Sequence, residues 1–201
     1  AGNDTLFGGS GNDSIEGASG SGDDSLVGED GNDTVVAGAG GGDDTLIGGS
    51  GNDLLDATGS VGSNSLEGDD GNDTLLGSEQ ADTLDGGSGS DSVSGAGGAD
   101  QIGLANTFFG TADGGADDDT FSDVSWFYAG GNTLTGGSGS DTYVVNPINS
   151  SVNTFADTIT DFTPGAGGDI LDLSQLITGL QAFYGFADDP ALGPPLGELF
   201  L

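Results

Sequence analysis

Apolar residues return along this chain one at a time, each set between polar or glycine positions. They are Leu6, Ile15, Leu26, Val35, Leu46, Leu55, Leu66, Leu75, Leu84, Val93 and Ile102, then less regularly Phe121, Leu134 and Tyr143. The intervals alternate between 9 and 11 residues as far as Leu75 and then hold at 9 to Ile102. Two short strands per turn of a solenoid generate such a pattern, with one edge turned by six residues and the other at first by eight. Each strand is expected to run about three residues and bury one side chain, so that coils stand only by stacking.

The pattern divides the chain into a roll over residues 1–145 and a C-terminal capping region over 146–201. Within the roll, residues 103–135 form an irregular section rich in aromatics: Phe108, Phe109, Phe121, Trp126, Phe127 and Tyr128. Core filler where the roll changes width is the expected role, with a sugar-holding cleft as the alternative. Ala1 to Leu6 reads as the tail of a repeat, so the chain is expected to begin inside a longer protein. Asp172 or Ser174 is expected to cap a short helix through Leu180.

Composition changes the picture. The 201 residues include no Lys, Arg, His or Cys, while 34 Asp and Glu leave a net charge of −34 and 43 residues are glycine. Such a chain repels itself and loses much backbone entropy on folding, so a cation must come from outside. Without Lys or Arg, nucleic acid and anionic membrane surfaces are excluded as partners. The usual general bases, thiolates and oxyanion clamps are also missing, so no residue is assigned a catalytic role and the segment is expected not to be an enzyme. No window is apolar enough for a membrane span, and the first residues carry no secretion signal.

The repeated unit is Gly48-Gly49-Ser50-Gly51-Asn52-Asp53-Leu54-Leu55, with close copies from Gly8, Gly9 and Gly11 to Ile15 and from Gly86, Gly87 and Gly89 to Val93. It resembles the nonapeptide of the RTX (repeats-in-toxin) family, a known pattern that implies an all-β, right-handed parallel β-roll binding calcium. The resemblance spans about Ala1 to Val145. Asp157 to Phe162 and Asp169 to Ser174 are similar to the region that follows RTX repeats in proteins exported by type I secretion.

The chemistry of the residues agrees with that resemblance. Glycines let the backbone turn carbonyl oxygens toward one point, and stacking at about 4.8 Å brings the Asp of one turn near the carbonyls of its neighbour. A flexible shell of six or so oxygens suits calcium, whereas magnesium wants a tighter octahedron and zinc wants His and Cys. Two ladders of ligands are expected. One carries Asp13, Asp33, Asp53, Asp73 and Asp91; the other carries Asp4, Asp24, Asp44, Asn64, Asp82 and Asp100. Asp119 and Asp141 close later repeats. Roughly 8–12 calcium ions are expected in all. The longer-turn ladder is the less regular, and at Asn64 a neutral side chain marks a weak or empty site whose loss matters little. Asp and Asn closing turns on their own backbone is the structural alternative.

Two further rows stand out. Asn12, Asn32, Asn52 and Asn72 line the outside of the first ladder, where a solvated edge is expected and ice binding is a rival reading. Phe7, Val27 and Ile47 follow core residues and should point outward, as a contact for self-association or a neighbouring domain, or under cover from the chain's own turns. The function expected is calcium-driven folding and rigidification of a secreted bacterial structural protein, such as a surface-layer or extracellular matrix-fibre component. The alternatives are a ligand- or ice-binding adhesin segment and the C-terminal RTX module of a larger secreted enzyme.

Overall fold

A computed structural model describes residues 2–17, 19–103, 109–124, 131–145 and 157–175. Each apolar position of the pattern seeds one strand, and the strands fall alternately into two parallel sheets. The nine-stranded sheet is built from β1 (Thr5–Ser10), β3 (Ser25–Asp30), β5 (Thr45–Ser50), β7 (Ser65–Asp70), β9 (Thr83–Asp85), β11 (Gln101–Gly103), β13 (Thr120–Val124), β15 (Thr142–Val145) and β17 (Ile170–Asp172). The eight-stranded sheet is built from β2 (Ser14–Glu16), β4 (Thr34–Val36), β6 (Leu54–Asp56), β8 (Thr74–Leu76), β10 (Ser92–Gly97), β12 (Thr111–Ala116), β14 (Thr133–Ser138) and β16 (Thr158–Ile159). Chain order alternates strictly between the sheets, so the chain is a β-solenoid. Among the described residues no helix is long and apolar enough to cross a membrane.

Register keeps like on like. Leu6, Leu26, Leu46, Leu66 and Leu84 stack in one file that continues through Ile102, Phe121, Tyr143 and Leu171. The facing file runs Ile15, Val35, Leu55, Leu75, Val93, Ala112, Leu134 and Ile159. Together these files make the core, in which each fully buried Leu contributes about 1.5–3 kcal/mol. Ala112, Ile159 and Leu171 are members that the apolar spacing does not reveal. Ala112 is the small member of its file, and the opposite file carries its bulkiest side chains, Phe121 and Tyr143, stacked at 4.9 Å between ring centroids.

Strand length differs from expectation. Half of each early coil is a three-residue strand, but β1, β3, β5 and β7 extend to six residues because the first residues of the glycine turn remain in register with the coils beside them. The same extension passes to the other sheet at β10, β12 and β14. The cause lies in the sequence. The compact six-residue turn closes the edge of Asp13 to Asp91 in the early coils; it first reaches the opposite edge at Gly77 to Asp82 and continues there at Asp100, Asp119 and Asp141. The two edges therefore exchange roles near the middle of the roll.

Beyond Val145, β16 and β17 add one strand to each sheet. Asp172 Oδ1 accepts the Ser174 N–H at 2.8 Å, and this bond holds the Asp172 carboxyl below its ordinary pKa. Asp172 thus caps the turn at Ser174, while the rest of the helix expected through Leu180 lies outside the described residues. Of the aromatic section, Phe108, Trp126, Phe127 and Tyr128 also lie outside them, and Phe109 is exposed.

Candidate metal centre

Most turns end with an Asp whose two oxygens have different fates. Oδ1 accepts the backbone N–H of the equivalent residue one coil earlier. On the first edge Asp13, Asp33, Asp53 and Asp73 donate in this way to Asp33, Asp53, Asp73 and Asp91 at 2.7–2.9 Å. On the second edge the chain of bonds passes through Asp4, Asp24, Asp44, Asn64, Asp82, Asp100, Asp119, Asp141 and Asp169. The structure thus places the twelve predicted Asp residues in two continuous ladders. Asp4, in the first coil, is exposed and Asp13 half-buried, whereas the other ten are buried.

The Oδ2 atoms are the chemically informative ones. In Asp13, Asp33, Asp53, Asp73, Asp100 and Asp119 this oxygen is sealed from solvent and has no hydrogen-bond partner. A buried acceptor left unpaired costs about 1–3 kcal/mol, more when charged, and calls for an explanation. Each one faces the first glycine of its turn. A Cβ built on Gly8 would stand 2.8 Å from Asp13 Oδ2 and 2.7 Å from the Gly28 carbonyl oxygen. On Gly68 it would meet Asp73 Oδ2 and the Gly86 carbonyl oxygen, both at 2.5 Å. Gly28, Gly48, Gly95 and Gly114 repeat the arrangement with their own Asp and the next coil's glycine carbonyl.

A carboxylate and a carbonyl turned toward one space, with no donor between them, repel unless a cation occupies it. The glycine keeps that space open. The donor set is wholly oxygen, which fits a hard divalent ion such as calcium. Among the described residues no three carboxylates converge, so a full shell has to draw on main-chain carbonyls. Gly8, Gly48 and Gly86 line the cradles. Gly9, Gly49 and Gly87, with Gly11, Gly51 and Gly89, carry positive φ, and a Cβ at Gly49 or Gly51 would strike the carbonyl of Glu29 or Gly31 in the coil before.

Electrostatics gives the same answer. Burial, helped by neighbouring carboxylates, pushes the Asp73 and Asp100 carboxyls up to about 7 and Asp119 up to about 6. Asp44, Asp53 and Asp141 are raised for the same leading reason. Without a counter-charge, burial shifts each of these carboxyls toward the protonated form.

Asn64 corrects its expectation. It is buried, its Oδ1 accepts from Asp44 N at 3.2 Å, and its Nδ2 donates to Asp82 Oδ1 at 3.1 Å and to the Gly62 carbonyl at 2.9 Å. The amide N–H groups supply the positive end that a cation supplies elsewhere, so Asn64 is a built contact and not an idle position.

The outer Asn row is also structural. Asn12, Asn32 and Asn52 each accept the N–H of the Asn one coil later at 2.8–3.1 Å, and Asn72 accepts from Ser90. This ladder runs opposite in sense to the Asp ladder beside it. Asn3, Asp23 and Asp43 do the same on the second edge. Phe7, Val27 and Ile47 form one outward file, with Phe7 64% exposed and the other two half-buried.

Asp169, Asn132 and Asp157 extend the ladders beyond the residues that the spacing predicted. Their signal was present in the triplets Asn132-Thr133-Leu134, Asp157-Thr158-Ile159 and Asp169-Ile170-Leu171, which copy Asp4-Thr5-Leu6 but lack the full Gly-Gly-x-Gly turn ahead of them. At Gly110 the first ladder lacks a side chain altogether, and the bond passes from Gly110 N to Asn132 Oδ1 at 2.9 Å.

A family model described as RTX calcium-binding nonapeptide repeat (4 copies) matches residues 1–21, 18–41, 39–60, 58–93, 67–102 and 128–144. No curated protein matches the chain.

Proposed function

Because the chain belongs to the RTX calcium-binding nonapeptide repeat family, whose repeats bind calcium, we propose that calcium-driven folding is the working step of a secreted bacterial structural protein, a surface-layer or extracellular matrix component. One observation carries the calcium step: buried, partnerless Asp Oδ2 atoms face the next coil's glycine carbonyl in turn after turn. The low calcium of the bacterial cytosol leaves such a chain unfolded for export, and the millimolar calcium outside folds it. The C-terminal likeness to type I secretion targets fits the same route.

The structural role is supported by the inventory of the segment, which holds no Lys, Arg, His or Cys and leaves only carboxylates, hydroxyls and backbone groups for chemistry. The Asn row offers little to ice, since its amide oxygens are engaged by backbone N–H groups. A neighbouring copy or domain would meet the roll at the outward file of Phe7, Val27 and Ile47. Electron microscopy with and without calcium tests the role. Ordered filaments or sheets in calcium are expected; a dispersed protein that binds a defined glycan or ice would replace this reading with an adhesin.

A further inference from the structure

Tyr143 is the one residue of its core file that carries a polar atom: the others are Leu, Ile and, one coil earlier, Phe121. Its ring packs on Phe121 with 9° between planes, and a second Phe would serve that stack equally well. The hydroxyl needs a separate reason, because a buried Tyr O–H ordinarily finds a partner. Tyr143 is fully buried and its Oη has none.

The place toward which Oη is aimed supplies the reason. A Cβ built on Gly136 would stand 2.6 Å from Tyr143 Oη and against Asp141 Oδ2. In earlier turns such as those of Gly8, Gly68 and Gly95, the second oxygen at this point is the next coil's glycine carbonyl. Next to Gly136 the following coil changes character: β16 is two residues long, and Asp161 follows instead of a glycine turn. Asp161 uses Oδ1 on the Gly136 N–H at 3.0 Å and Oδ2 on the Gly137 N–H at 2.8 Å, which holds the turn from outside.

We propose that Tyr143 Oη is a ligand of the divalent cation held at the Gly136 to Asp141 turn, in the position that a glycine carbonyl takes in the preceding turns. The phenol coordinates as a neutral oxygen through a lone pair and keeps its proton. The site is a hard-cation site of calcium type, distinguished from the repeats before it by a side-chain oxygen that reaches it from the core. The inference rests on the calcium reading above.

Terbium(III), a calcium-sized probe excited through tyrosine, tests it on the full chain. Tyr143→Phe should keep the calcium-induced circular dichroism yet lose a discrete component of sensitised emission. Asp141→Asn should lose the same component, and the double variant no more than either single one. In calcium titrations one class of site should weaken about fivefold in Tyr143→Phe, the scale of one polar contact. Emission from Tyr143 that survives in Asp141→Asn, or a Tyr143→Phe titration superimposable on the parent, would overturn the assignment while leaving calcium-dependent folding intact. A parent that shows no calcium response would instead remove the reading on which it rests. Should Tyr143→Phe not fold, tyrosine difference absorbance decides: a calcium-induced band present in the parent and absent in Asp141→Asn supports the ligand, and equal bands overturn it.

Discussion

Asp53 is held by two demands that conflict without a metal. Its Oδ1 accepts the Asp33 N–H at 2.7 Å, which favours the carboxylate, while burial and the neighbouring Asp33 and Asp69 charges favour the acid. A calcium ion at Oδ2 would resolve the conflict, so Asp53→Ala should raise the calcium midpoint of folding by an amount equivalent to at least ~1 kcal/mol. Asn64 makes its contacts with its own N–H groups and needs no ion. Asn64→Ala should therefore destabilise by about 1–3 kcal/mol at every calcium concentration, leaving the buried Asp44 N–H without its acceptor. Denaturant melts at low and saturating calcium separate the two. If the Asn64→Ala effect grows with calcium in the way the Asp53→Ala effect does, the amide is not acting in place of an ion.

The glycine turn is the element that makes the site, because it sets the cradle and the coil spacing together. Gly48→Ala would put a methyl between Asp53 Oδ2 and the Gly68 carbonyl. It should abolish binding at that turn, which calorimetry would read as one fewer ion bound than in the parent; an unchanged count would show that the cation sits elsewhere.

The buried ladders also respond to protons. Burial pushes the folded-state carboxyls of Asp73 and Asp100 up to about 7 and that of Asp119 up to about 6, above the ordinary carboxylate range. In chelator their contribution to stability is therefore fully present below about pH 4 and is lost as pH rises through 6–7. Acidifying the calcium-free chain from pH 8 to pH 4 should raise its β-sheet signal, and a signal that stays flat or falls would contradict the burial of these groups.

How much of this was legible follows from the same element. The core files and the Asp ladders could be read because one apolar residue and one Asp recur at fixed distance from the glycines. Ala112, Ile159 and Asp169 escaped because loops of changing length precede them and, at Ala112, because the core needs a small side chain opposite Phe121 and Tyr143. Asn64 was legible as a departure but not as a donor, since only the stacked coil brings Asp82 to its amide. The exchange of edges was present in the steady spacing of 9 from Leu75 to Ile102, but its meaning appeared only once the strands were assigned to sheets.

For the whole molecule, the decisive quantity is charge. A net charge of −34 with no basic side chain opposes any compact state. Two files of single apolar residues are a narrow core to set against it. Divalent ions in the turns remove charge at the points where carboxylates are buried, and the loss of ions from one edge should propagate along the stack, since each coil rests on its neighbours. The calcium transition is accordingly expected to be cooperative, with a Hill coefficient above one in calcium titrations followed by intrinsic fluorescence; a graded, non-cooperative response would mean that the coils fold independently.

The most direct test of this account is the far-ultraviolet circular dichroism of the chain at neutral pH, first in excess chelator and then in millimolar calcium. A disordered spectrum in chelator that converts to a β-rich one on adding calcium, and back on chelation, is the predicted result. A β-rich spectrum already present in chelator would contradict it, because the buried carboxylates would then be tolerated without the cation that the turns are built to hold.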